Sequence, residues 1–122
     1  MAVQSSLRFP KTSRIKLGRD FERIRCSGQR VVCGCLIANW LGAKEAASSK
    51  LGVITSRKIG NAVKRARARR LLRETFRLHQ HDFAQPVDLV LVARQSIDGK
   101  SFAEVERDFL RAITQANLLK SR

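Results

Sequence analysis

The sequence predicts a single α/β domain organised as a strand, a long basic helix and a second strand, on three observations. A run rich in strand formers at residues 51–55 leads into a helical pattern that continues to Leu78. After a break at Gln85-Pro86, residues 87–93 are almost continuously apolar, the pattern of a strand buried on both faces. A strand, a helix and a strand in succession imply a crossover connection. The chain length of 122 residues suits one core but not two, and a hydrophobic fraction of 43% excludes a mainly disordered chain.

The segment 1–19 contains Arg8, Lys11, Arg14, Lys16 and Arg19 and no acid. No continuous apolar run follows it, which argues against a secretory signal. It reads either as a removable address or, preferably, as a basic extension with a flexible arm at 1–13. Residues 20–26 read as a short helix with Asp20 as N-cap, Phe21 and Ile24 on one side, and Gly28 as its stop. Residues 31–40 hold one or two strands, interrupted by Gly34. Within them Cys33 and Cys35 alternate as two residues on one strand face would. With Cys26 the cysteines are odd in number and lack a zinc-ligand pattern, so reduced core thiols in a cytoplasmic protein, and no metal site, are expected. Residues 41–49 read as a hairpin loop.

From residue 57 to 73 eight cations, Arg57, Lys58, Lys64, Arg65, Arg67, Arg69, Arg70 and Arg73, precede the first acid, Glu74. Asn61 is the expected helix cap. At 100° per residue, Ala68, Leu71, Leu72, Thr75, Phe76 and Leu78 share one arc, and Arg67, Arg69, Arg70, Arg73 and Arg77 fill the opposite one. Like charges at helical spacing repel by about 0.2–0.5 kcal/mol per pair. A same-sign face therefore calls for a polyanion. The net charge of +15 and pI near 11.4 point the same way, to nucleic acid. A membrane surface fits less well, because the apolar arc is modest and no stretch reaches transmembrane length.

A last helix begins at Ser101 with the capping box Ser101–Glu104 and an apolar stripe of Phe102, Val105, Phe109, Ile113 and Ala116. Asp98, Glu104, Glu106 and Asp108 make this end acidic, so it is expected to face away from the polyanion. His79, His81 and Asp82 are the one constellation that suggests acid–base work, and a polar helix end explains them equally well. Phosphate-binding, nucleophile-elbow and dinucleotide motifs are absent.

The run from Ser56 to Glu74 resembles the signature helix of the bacterial ribonuclease P protein component. Lys58, Gly60, Ala62, Val63, Arg65, Arg67, Arg70, Arg73 and Glu74 match in type and spacing, and Arg69 stands for a usual Lys. The resemblance extends to residues 14–25, the strand at 51–55, Val92-Ala93-Arg94 and the start of the last helix. It implies an α-β-β-β-α-β-α order in a two-layer sandwich. The central sheet would have four strands and a left-handed crossover, like the second domain of a small-subunit ribosomal protein.

The resemblance also implies a division of labour. A catalytic RNA and its bound Mg²⁺ would hydrolyse precursor tRNA, with the cationic face on that RNA and no cofactor or small-molecule substrate held by the protein. The tRNA 5′ leader would lie in a cleft lined by Phe21, Arg25 and Asn39. Arg25 and Asn39 replace aromatics common in the family, which implies weaker base stacking. Ala66 replaces the usual Asn within the signature. A structural ribosomal RNA-binding protein and a protein-only nuclease using His79, His81 and Asp82 are the rival readings.

Overall fold

The computed structural model describes residues 14–15, 18–43 and 45–120; the arm expected at 1–13 lies outside them. In chain order come α1 (Gly18–Ser27), β1 (Gln29–Cys33), β2 (Leu36–Gly42), β3 (Lys50–Ile54), α2 (Ala62–His79), β4 (Val87–Ala93) and α3 (Phe102–Gln115). Single 3-10 turns occupy Arg57–Ile59 and Gln95–Ile97. The expected element order holds.

The four strands are ordered β1-β2-β4-β3, with β4 parallel to β3 and antiparallel to β2. The almost unbroken apolar run is therefore an interior strand, covered on both faces. Residues 41–49 are not a hairpin loop, because β4 inserts between β2 and β3 and leaves those two strands unpaired with each other. Beside the free edge of β3, Arg14 bridges Leu51 in parallel and the Ile15 N–H donates to the Leu51 carbonyl at 2.9 Å.

Period-two alternation sorts the strands into two faces. Leu36, Ala38 and Trp40 of β2 and Leu89 and Leu91 of β4 join the core beneath α2 and α3. Leu72 and Phe76 of α2, and Val105, Phe109 and Ile113 of α3, are fully buried in it. The alternate residues, including Ile37, Asn39, Val90 and Val92, face the other way, where α1 packs on β2 and β4. Ile24 of α1 and Val90 are both fully buried outside the main core. Arg23 ties α1 to Asp88 of β4 at 3.1 Å. Asp20, expected as the N-cap, lies inside the first turn, because α1 starts at Gly18.

Both remaining caps form as expected. Asn61 Oδ1 accepts from the Lys64 N–H at 3.0 Å, and Ser101 and Glu104 exchange bonds of 3.2 and 3.1 Å in a capping box. These bonds satisfy N–H groups that a helix start otherwise leaves without partners.

The cysteines depart from expectation. Gly34 and Cys35 form the two-residue turn joining β1 to β2, so Cys33 and Cys35 do not share a strand face, and Cys26 is exposed. Gly34 has φ +58°, and a Cβ there would lie 2.1 Å from Asp108 Oδ2. Only glycine fits. Asp108, 4% exposed, accepts from the Cys35 N–H at 3.0 Å and so fastens the hairpin to α3. Burial, with the adjacent Asp108 adding to it, pushes the Cys35 thiol up to about 12, so it stays protonated.

Replacing Asp108 by Ala leaves the Cys35 N–H buried without its acceptor. The expected loss is about 1–3 kcal/mol of unfolding free energy, read as a lower urea midpoint at unchanged slope.

Candidate nucleic-acid interface

Two surfaces collect the residues singled out in the sequence. The first is the outer side of α2. Arg69, Arg70 and Arg73 line a concavity there together with Arg14, Ala66, Glu74 and Arg77. Arg69 is fixed by donating to Thr55 Oγ1 at 2.8 Å, and Arg77 pairs with Glu74. Partial burial, then the nearby charges of Arg14 and Arg69, hold the Arg73 guanidinium pKa below its ordinary value. Crowding of this kind is what an anion would relieve. Ala66 lies in the middle of this basic wall, as its position on the helical projection implies.

The other cations of the set are dispersed. Lys64 pairs with Asp98 at 3.1 Å, and Arg67 donates to the Lys100 carbonyl at 2.6 Å. Asp98 thus faces the basic helix and not away from it, a correction to the expected charge polarity. Arg57 and Lys58 are exposed on the 3-10 turn before α2, and Arg65 is half-buried.

The second surface is a cleft of about 760 Å³ between α1 and the part of the sheet that α1 leaves uncovered. Phe21, Glu22, Arg25 and Cys26 come from the helix; Arg30, Ile37, Asn39, Ile54 and Val92 come from the strands. All three residues expected in a cleft, Phe21, Arg25 and Asn39, line it. Phe21 lies on Gly52, where a Cβ would come within 2.6 Å of its ring. The missing side chain thus sets the height of the aromatic wall. Arg30 was not singled out in the sequence. It reaches the cleft because β1 pairs with β2 in the register Arg30↔Asn39.

The histidine constellation is used differently. His79 engages Asp82 through Nδ1 and Glu106 through Nε2, each at 2.8 Å, while His81 is exposed. Burial disfavours the charged ring, but the hydrogen bonds and charges of the two carboxylates outweigh it and raise the His79 pKa. With both nitrogens occupied, the imidazole acts as a clamp between the end of α2 and α3. Among the described residues, no group of three or more His, Cys, Asp or Glu is placed to hold a metal ion, and no helix is long and apolar enough to cross a membrane.

The family model for ribonuclease P matches residues 9–117. The chain belongs to the ribonuclease P protein family. It is 31% identical to the ribonuclease P protein component of Gluconacetobacter diazotrophicus over 109 residues, 88% of this chain and 94% of that one. The corresponding protein of Staphylococcus carnosus is 30% identical over 112 residues, 92% of this chain and 96% of the relative. The solved structure of the Staphylococcus aureus RNase P protein superposes with a TM-score of 0.81 at 28% identity, covering 90% of this chain and all of that one. The fold and the family agree on a ribonuclease P protein subunit and disfavour the ribosomal alternative.

Substituting Gly52 by Ala forces the Phe21 ring off its seat. The expected result is a changed environment for Phe21 in NMR spectra. The His79 clamp makes stability depend on pH. Its folded pKa lies above the ordinary 6.5, so its stabilisation is complete below about pH 6.5 and is lost as pH rises through the folded value. Unfolding free energies measured from pH 6 to 9 should show that decline, and His79→Gln should remove it.

Proposed function

We propose that this ribonuclease P protein holds the catalytic RNA on the outer side of α2 and the 5′ leader of precursor tRNA in the α1 cleft, assisting endonucleolytic release of the leader. The observation that carries the reading is the junction of the two surfaces at the free edge of β3. Arg14 lines the α2 concavity, and Ile15 approaches Gly52 on the cleft side, where Phe21 lies. A leader in the cleft and an RNA on α2 would therefore be neighbours.

Each surface has a distinct role. The arginines neutralise phosphates without reading sequence. Phe21 offers a stacking face, and Arg25 offers a guanidinium that stacks or pairs with phosphate. In this reading phosphodiester hydrolysis belongs to the RNA and the Mg²⁺ it binds, in a cytoplasmic ribonucleoprotein. The protein's residues position the substrate.

If about five phosphates are neutralised, log affinity for the RNA falls with log salt at a slope of roughly −3 to −5; a slope near zero contradicts the electrostatic account. Reversing Arg70 and Arg73 together to Glu should abolish assembly without unfolding the domain. In cleavage assays at low Mg²⁺, RNA and protein together should process precursor tRNA, RNA alone little and protein alone not at all. Cleavage by the protein alone would overturn the assignment of roles.

A further inference from the structure

The loop from β4 to α3 treats two neighbouring cations of α2 in opposite ways. Asp98 Oδ2 meets Lys64 Nζ at 3.1 Å, so a carboxylate offsets that charge. Arg67 Nη2 instead donates to the Lys100 carbonyl at 2.6 Å. A carbonyl orients a guanidinium without cancelling its charge, and it engages only one of five N–H donors. Arg67 remains an exposed cation, whereas Lys64 is already answered by an anion of the same chain.

The loop is a fixed platform. Its 3-10 turn, Gln95–Ile97, packs on the turn Arg57–Ile59 that leads into α2, and Ile97 and Ile59 are both buried in the core. The Asp98 N–H donates to the Gln95 carbonyl at 3.2 Å and the Lys100 N–H to the Ile97 carbonyl at 3.0 Å. The backbone therefore holds Asp98 opposite Lys64. The place of Lys64 on the helix shows what this offsets. Nine residues put it about 180° around the helix from Arg73, away from the concavity that Arg69, Arg70 and Arg73 line. A polyanion drawn to Lys64 would sit off that face.

We propose that Asp98 is a specificity-determining residue that acts through Lys64: it withdraws that cation from competition for phosphate, so that RNA is held only in the register that engages the concavity. This rests on the reading of α2 as the seat of the catalytic RNA. Specificity is a difference of affinities, gained as much by lowering affinity for the wrong partner as by raising it for the right one. Generic RNA binds wherever cations are free. An RNA whose shape fits the concavity leaves Lys64 with its carboxylate. The pair suits this task better than it suits stability, since side chains 50% and 44% exposed make a weak bridge.

The test titrates the full chain against its catalytic RNA and against an unrelated RNA duplex across a salt series. Asp98→Asn should bind the duplex about three- to fivefold more tightly, the scale of one exposed ion pair, with a salt slope steeper by about one. It should bind the catalytic RNA within about 1.5-fold of wild type and at the same slope. Adding Lys64→Ala should cancel the gain on the duplex, and Lys64→Ala alone should leave the catalytic RNA bound as before. Urea midpoints near that of wild type check that these exposed-site variants fold. A gain that survives in the double variant overturns the route through Lys64. Equal gains on both RNAs, or none on the duplex, overturn the role in specificity, and a large loss of catalytic RNA in Lys64→Ala puts that cation inside the footprint and overturns it too. If Arg70→Glu with Arg73→Glu leaves the catalytic RNA bound, the seat on α2 itself fails, and this proposal with it.

Discussion

Burial of one side of α2 is the interaction on which the rest of the protein depends. Ala68, Leu72, Thr75 and Phe76 are shut away beneath a helix whose outer side is crowded with arginines. Burying a Leu or Phe side chain stabilises by about 1.5–3 kcal/mol, whereas a like-charge pair at helical spacing costs about 0.2–0.5 kcal/mol. Two such side chains outweigh several repulsive pairs. The helix therefore persists despite the repulsion among its arginines, and the cation array is ordered before any RNA arrives. Binding then loses little to conformational entropy.

Two of the three expected helix caps were legible in the sequence because capping is a relation between residues three apart, and Asn61 and Ser101 each carry it in full. The two faces of α2 were legible for the same reason. Sheet order was not. Whether β2 meets β3 or β4 depends on partners some fifty residues away in the sequence, as in the Trp40↔Leu89 pair, and alternation within a strand is silent about which neighbour it takes. The turn at Gly34 and Cys35 was legible only as one of two alternatives, because Val31 to Trp40 has strand-forming residues on both sides of one glycine. Asp108, which accounts for that glycine, lies in a distant helix.

The cleft was legible only in part. Phe21, Arg25 and Asn39 came from family resemblance, since no spacing in the chain joins residues of α1 to those of β2. Arg30 was missed because a lone arginine on a strand carries no signal until the register with Asn39 is known. The tether between Arg67 and the Lys100 carbonyl was invisible for a similar reason: a main-chain oxygen has no side-chain identity to read. Local rules recover elements and their charged faces. Which side chains share a cavity is decided by long-range pairing.

The position of β4 has a consequence for biogenesis. Because β4 separates β2 from β3, a chain still growing on the ribosome cannot complete its sheet until Ala93 has emerged. Until then the β1–β2 hairpin and β3 with its basic helix lack the strand that unites them, and both present open edges. The most cationic part of the molecule is thus synthesised before the strand that secures it, in surroundings dense with RNA. Closure by β4 is a late, non-local step, the kind that sets a slow folding rate.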